Sequence, residues 1–297
     1  MAFTAKDVMA LREKTGAGMM DCKKALVDTD GDMDKAADLL RERGIAKAAK
    51  KAGRIAAEGI VACYIEGKVG VLLEINCESD FVAKNDSFTA IATEIAKVIV
   101  KENPADVEGL LASPFEGAAN VEEYLKSQIA VIGEKIAIRR FTRYETDGYY
   151  AQYIHMGGKI GVLIDMAGEA TQASEKAAHE VALQAAFSKP AYLTEKDVPT
   201  ETLEKEKNIL KQQAMNEGKP EAIAEKMVMG RIKKFYEENC LVKLSYFRDD
   251  SKTMADVLKE GNAQINRFVL YVMGEGLEKK NEDLSEEVAK QVAQMKK

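Results

Sequence analysis

Apolar residues along this chain recur every three or four positions in some segments and run together in others, so the pattern predicts a mixed α+β protein. At the start, Val8 and Leu11 share one face of a helix that Thr4 and Asp7 open as a capping-box pair and that Gly16 and Gly18 close. A second short helix is predicted over Asp21 to Val27. The Asp30-Gly31-Asp32 turn offers Asp32 as N-cap of a third, which turns Ala36, Leu39 and Leu40 inward and stops at Gly44. Three short helices bury little apolar surface, so the module is small, and Lys47 to Arg54 links it to the rest.

An internal repeat follows. Tyr64-Ile65 precedes Gly67-Lys68-Val69-Gly70-Val71-Leu72-Leu73, and Tyr153-Ile154 precedes Gly158-Lys159-Ile160-Gly161-Val162-Leu163-Ile164. Two β-rich runs around a glycine turn predict a hairpin in each copy, the second with the longer turn His155-Met156-Gly157-Gly158. Helical sequence follows each, Ser87 to Lys101 and Ala173 to Phe187. Ile136 to Phe141 and Arg267 to Val272 supply a closing strand for each. The expectation is two related antiparallel sheets covered by helices. From about Pro199 to Asn239 the sequence is charged and helical, broken at Gly218-Lys219-Pro220, which predicts an antiparallel helical hairpin lined by Leu203 and Leu210 on one arm and by Ile223, Met227 and the Ile232 to Phe235 region on the other. A last helix is expected from Glu278, capped by Asp283 and Glu286, with Leu284, Val288, Val292 and Met295 as one apolar stripe that packs either at home or on a partner.

Composition narrows the function. The chain has 297 residues, 46% apolar and 31% charged, enough for several cores. Its net charge of −6 argues against a dedicated nucleic-acid binder. Six basic residues lie between Arg41 and Arg54 against the single acid Glu42; a solvated linker helix is the simpler reading, a phosphate-binding patch the other. The N-terminus does not read as a signal peptide and no apolar run is long enough for a membrane span, so a cytoplasmic protein is expected. Cys22, Cys63, Cys77 and Cys240 form no C-x-x-C pair and His155 and His179 stand apart, which speaks against a zinc site and for scattered buried thiols. No phosphate-loop, nucleophile-elbow or H-E-x-x-H motif is present, and the Gly-Lys pairs at Gly67 and Gly158 read as hairpin turns. The expectation is a protein that is not an enzyme, with no catalytic residue, no metal and no cofactor.

Glu78-Ser79-Asp80-Phe81-Val82 stands out, directly after the apolar strand Val71 to Cys77. Two readings are open. Phe81 is an exposed interface anchor on a rigid corner, or Asp80 caps a helix turn and Phe81 packs into the local core.

Leu11 to Leu26, reading Leu-Arg-Glu-Lys-Thr-Gly-Ala-Gly-Met-Met-Asp-Cys-Lys-Lys-Ala-Leu, and Glu74 to Lys84, reading Glu-Ile-Asn-Cys-Glu-Ser-Asp-Phe-Val-Ala-Lys, resemble the two signatures of the elongation factor Ts family, with Ser79 where the family usually has Thr. Gly218-Lys219-Pro220 through Gly230-Arg231 resembles the family's coiled-coil region, and Gly274 to Lys279 the start of its C-terminal module. The resemblance implies a guanine-nucleotide exchange factor that binds elongation factor Tu, in a one-to-one or two-to-two assembly, and binds no nucleotide itself. It implies a ubiquitin-associated-like three-helix domain and linker (1–54), a core N-subdomain (55–145), a core C-subdomain (146–198 and 240–277), a coiled-coil insertion (199–239) and a C-terminal module (278–297). Phe81 would wedge between two helices of the GTPase, with Asp80, Ser79 and Val82 on the same magnesium-displacing corner. Arg12, Met19 and Met20 would touch its nucleotide-binding domain, and His155 would join the interface. An interaction adaptor without exchange activity, an RNA-binding factor using Arg41 to Arg54 and a nucleotide-binding enzyme are the rival readings.

Overall fold

The computed structural model describes residues 3–218 and 220–277. The expected C-terminal helix, with Asp283, Glu286 and the stripe from Leu284 to Met295, lies outside the described residues. The fold is α+β, with eleven α-helices among the described residues. The chain divides into two compact units, one built from 1–60, 73–141 and the segment from Met273, the other from 61–72 and 142–272.

The first unit opens with α1 (Ala5–Thr15), α2 (Met19–Asp28) and α3 (Met33–Lys51) around a small core of Val8, Leu11, Cys22, Ala25, Leu26 and Ala36. Thr4 and Asp7 form the capping box, Gly16 closes α1 in the left-handed conformation at φ 66°, and the Asp32 carboxylate accepts the N–H groups of Asp34 and Lys35. One expectation is corrected here. Gly44 does not end the third helix, which continues to Lys51. Gly44 is buried instead against α7 (Val121–Ile132), where an added Cβ would sit 3.1 Å from Ala130 Cβ. A glycine inside a helix costs about 1 kcal/mol, and here its missing side chain permits the close helix–helix approach. The basic stretch is therefore largely helical, and Arg41, Arg43 and Lys47 pair with Glu123, Asp28 and Asp21.

Strands β1 (Glu58–Glu66), β2 (Val69–Cys77) and β3 (Ala137–Glu145) form a three-stranded sheet in the order β1-β2-β3. Between β2 and β3 lie α4 (Asp80–Ala83), α5 (Asp86–Glu102), α6 (Val107–Ala112) and α7, the last two unforeseen in the sequence pattern. In α5, Phe88, Ile91, Ile95 and Ile99 are buried at helical spacing.

In the second unit β4 (Tyr149–His155), β5 (Ile160–Met166) and β8 (Ile265–Val272) form an antiparallel sheet in the order β4-β5-β8. Every residue of β5 is buried. Val162, Ile164 and Met166 join a core with α8 (Gln172–Ser188), while on the other face a Cβ on Gly161 would fall 2.4 Å from Val61 Cγ1. The helical hairpin is α9 (Thr200–Asn216) and α10 (Glu221–Asn239). Its seam differs in part from the expected one: Ile232 is buried as expected, but Ile223 is exposed, and Ala214, Ala224 and Val228 are buried as well. Near the break at Gly218 the pair closes over Ala214 and Ala224, where small side chains let the backbones approach, and further along α10 Val228 and Ile232 fill the seam. The two-stranded β6 (Ser245–Tyr246) and β7 (Asp249–Thr253) and the helix α11 (Met254–Glu260) complete the unit.

The repeat extends to chemistry that the hydrophobic pattern hides. Glu74 and Asp165 stand at matching places on β2 and β5, each four residues after Gly70 or Gly161. Both are buried, and each is paired to arginine from the closing strand of its own sheet. Glu74 binds Arg139 at 2.9 Å and Arg140 at 2.7 Å and accepts the Gly274 N–H at 2.7 Å. Asp165 binds Arg267 at 2.9 Å and accepts from Thr146 at 2.6 Å and Asn266 at 3.1 Å.

Candidate functional site

The apolar run of β2 carries the chain through the first core and delivers it at Glu78 to the surface. Ser79 is the N-cap of α4, its Oγ accepting the Val82 N–H at 3.3 Å. Asn85 then caps α5 by accepting the Ser87 N–H at 3.0 Å. Two successive caps turn the chain sharply, because each uses a side-chain oxygen to satisfy a helix donor that has no carbonyl behind it.

Burial within this turn is uneven. Ala83 is buried and Phe88 fully so, while Phe81 is 83% exposed, more than any other large apolar side chain among the described residues. The reading in which Phe81 packs into the local core is thereby overturned, and the cap belongs to Ser79 rather than Asp80. Val82 and Asp80 are half-buried. Asp80 pairs with Lys84 at 2.6 Å one helical turn on, and that hydrogen bond together with the carboxylate's charge raises the Lys84 pKa. The turn thus presents an aromatic ring to solvent beside a carboxylate already held in place.

Ser79, Asp80, Phe81 and Val82 lie on this one turn. Arg12, Met19 and Met20 lie on α1 and α2 of the same unit, all exposed, Met20 at 74%. Cys22, two residues after Met20, faces the small core, so the helical period turns Met20 to the opposite side of α2, while Met19 at the helix start is exposed at its edge. His155 belongs to the second unit. It ends β4 half-buried, with Nδ1 3.1 Å from the Tyr153 hydroxyl, ahead of a turn in which Met156, Gly157 and Gly158 have positive φ. Sequence reasoning missed Glu134 and Lys135, which hold the backbone and side chain of Glu78 from the segment after α7. The pattern offered one signal for them: the glycine at 133 that stops α7 immediately ahead of a charged pair.

Elsewhere the chemistry is quiet. Among the described residues no three His, Cys, Asp or Glu side chains gather as a metal-holding group, and no helix is long and apolar enough to cross a membrane. All four cysteines are free; lost solvation pushes the Cys63 thiol up to about 12 and, with help from Glu195 and Asp197, Cys240 to about 11. Cys63 is only half-buried, unlike the other three. A shallow depression of about 500 Å³ in the second unit is lined by Asp165 and Arg267, which already bind each other.

Residues 78–275 match the family described as Elongation factor TS, and the match begins at the first residue of the Phe81 corner. An elongation factor Ts of Clostridium perfringens (strain ATCC 13124) is 50% identical over 298 residues, spanning 97% of this chain and 98% of that protein. One from Clostridium botulinum (strain Alaska E43) is 47% identical over 300 residues, spanning 98% and 99%. Because the likeness runs through both units and through the N-terminal helices as well, the chain belongs to the elongation factor Ts family.

Proposed function

We propose that the chain speeds nucleotide exchange on elongation factor Tu by inserting the Asp80–Phe81 turn into the GTPase and loosening its hold on magnesium and GDP. The family carries the coarser part of this statement: its members are nucleotide exchange factors for elongation factor Tu and catalyse no chemical reaction. The exposed Phe81 ring on a capped turn is the observation that supports the finer part. An aromatic side chain of this exposure leaves its burial energy to be collected in a complex.

The mechanism follows from linkage. A factor that binds more tightly to the GTPase with its phosphate loop and magnesium displaced must weaken GDP, and GDP must weaken the factor by the same ratio. Equal affinity for the two states would shift nothing. The ring therefore has to fit a cleft that exists only in the opened GTPase, with Asp80 accepting hydrogen bonds there in place of Lys84. GTP, in excess, then refills the emptied site and releases the factor. Arg12, Met19 and Met20 form a second contact, on a three-helix module we read as ubiquitin-associated-like, where adjacent exposed methionines suit an adaptable apolar surface. His155 forms a further contact from the second unit.

The test is release of labelled GDP from elongation factor Tu with the full chain or its Phe81→Ala variant. The variant is expected to lose one to two orders of magnitude in stimulated release, roughly the 2 kcal/mol or more of an interface hot spot. An unchanged rate would falsify the insertion.

A further inference from the structure

The turn that presents Phe81 cannot hold itself. A four-residue helix has no cooperative length behind it, and the exposed ring makes little contact that could fix its direction. Its orientation is set from outside. The carboxylate of Glu134 gathers three donors at the entry to the turn: the backbone N–H of Glu78 at 3.0 Å and of Ser79 at 2.9 Å on Oε2, and the Ser79 hydroxyl at 2.5 Å on Oε1. The Ser79 oxygen accepts the Val82 N–H in turn, so it is held from both sides. The clasp is reciprocal. Glu78 accepts the Lys135 N–H at 2.6 Å and pairs with Arg54 at 3.2 Å. Glu134 is itself fixed by the chain, since Gly133 ends α7 at φ 85° and β3 begins at Ala137, leaving only residues 134–136 to span the gap.

We propose that Glu134 is a positioning residue for exchange: it fixes the N-terminal end of the α4 turn and thereby the direction in which Phe81 projects. The proposal rests on the reading of Phe81 as the inserted group. A carboxylate suits this place because it only accepts, and all three groups facing it donate. In Glu134→Gln the amide keeps the size but turns a donor toward one arm of the clasp, so the Ser79 hydroxyl bond must reverse or break. In Glu134→Ala all three bonds go, and the turn is left to its caps.

The experiment measures stimulated GDP release from elongation factor Tu for Glu134→Ala and Glu134→Gln, alone and combined with Phe81→Ala, with thermal melting of each variant as a check on folding. Glu134→Ala is expected to slow release about tenfold, less than the roughly hundredfold that a full ångström of misplacement can cost, and Glu134→Gln by less. The double variant Phe81→Ala/Glu134→Ala is expected to be no slower than Phe81→Ala alone, because an absent ring cannot be misplaced. An equal further loss in the Phe81→Ala background, or full-rate release by Glu134→Ala, overturns the proposal. Should Glu134→Ala fail to fold, the same comparison with Glu134→Gln decides it. A full-rate Phe81→Ala removes the insertion reading and this proposal with it, whereas a slow Phe81→Ala beside a full-rate Glu134→Ala removes this proposal alone.

Discussion

The two sheets carry the same buried device and end in different corners. On β2 and on β5 a carboxylate sits inside the protein against arginine from the closing strand, Glu74 against Arg139 and Arg140, Asp165 against Arg267. After β2 the chain enters the clasped turn that exposes Phe81. After β5 it crosses Ala167 to Thr171, passes Gly168 at φ 74° and enters α8 at a Thr171 cap, with no short helix and no aromatic. The comparison teaches that the pattern shared by the two copies serves the sheet, and that the exposed aromatic was built onto one corner only. The carboxylate–arginine pairing recurs with the sheet; the exposed ring occurs at one corner.

The largest expected effect tests the shared device. Glu74→Ala should lower the stability of the first unit by about 3–5 kcal/mol in denaturant unfolding, since the buried Gly274 N–H loses its acceptor and two partly buried guanidinium groups lose the carboxylate while keeping Glu275. Asp165→Ala should cost less, about 1–3 kcal/mol, because Arg267 is 47% exposed and can return to water. Equal losses would show that the two carboxylates are equivalent and that solvent access to the arginines does not matter. The corner is tested next. Phe81→Ala should leave unfolding within about 0.5 kcal/mol of the parent while abolishing most of the exchange, the signature of an exposed group used by a partner. Gly168→Ala is its counterpart at the plain corner. It should cost about 1 kcal/mol of stability, because the left-handed backbone strains a Cβ that has open space around it, and should leave GDP release unchanged. A slowed release there would give the second corner a role in exchange. The smallest effect concerns the thiols: Cys63 and Cys240 should alkylate far more slowly at pH 7.5 than a free cysteine, the raised pKa leaving little thiolate, and rapid labelling of the native protein would contradict that.

Much of the architecture was legible in the chain because it depends on period and punctuation. Thr4 with Asp7, Gly16 and Asp32 marked helix ends through local hydrogen bonding and backbone freedom, and the duplicated glycine turns marked both hairpins. Failures came where a residue's role depended on what it met. Gly44 read as a stop and is a contact with Ala130; Ile223 read as seam and is exposed; α6 and α7 went unread between clearer signals.

By itself, then, the sequence determined the α+β class, the two hairpins, the helical hairpin and the family, since these are written in spacing and in long contiguous signatures. Only the tertiary structure decided whether Phe81 faced inward or outward, paired Glu74 and Asp165 with their arginines, and brought Glu134 across 55 residues to hold Ser79. The physical reason is that periodicity records which face of an element is apolar, whereas the direction of one ring and the partner of one carboxylate depend on groups remote in the chain, and nothing in the local sequence encodes that meeting.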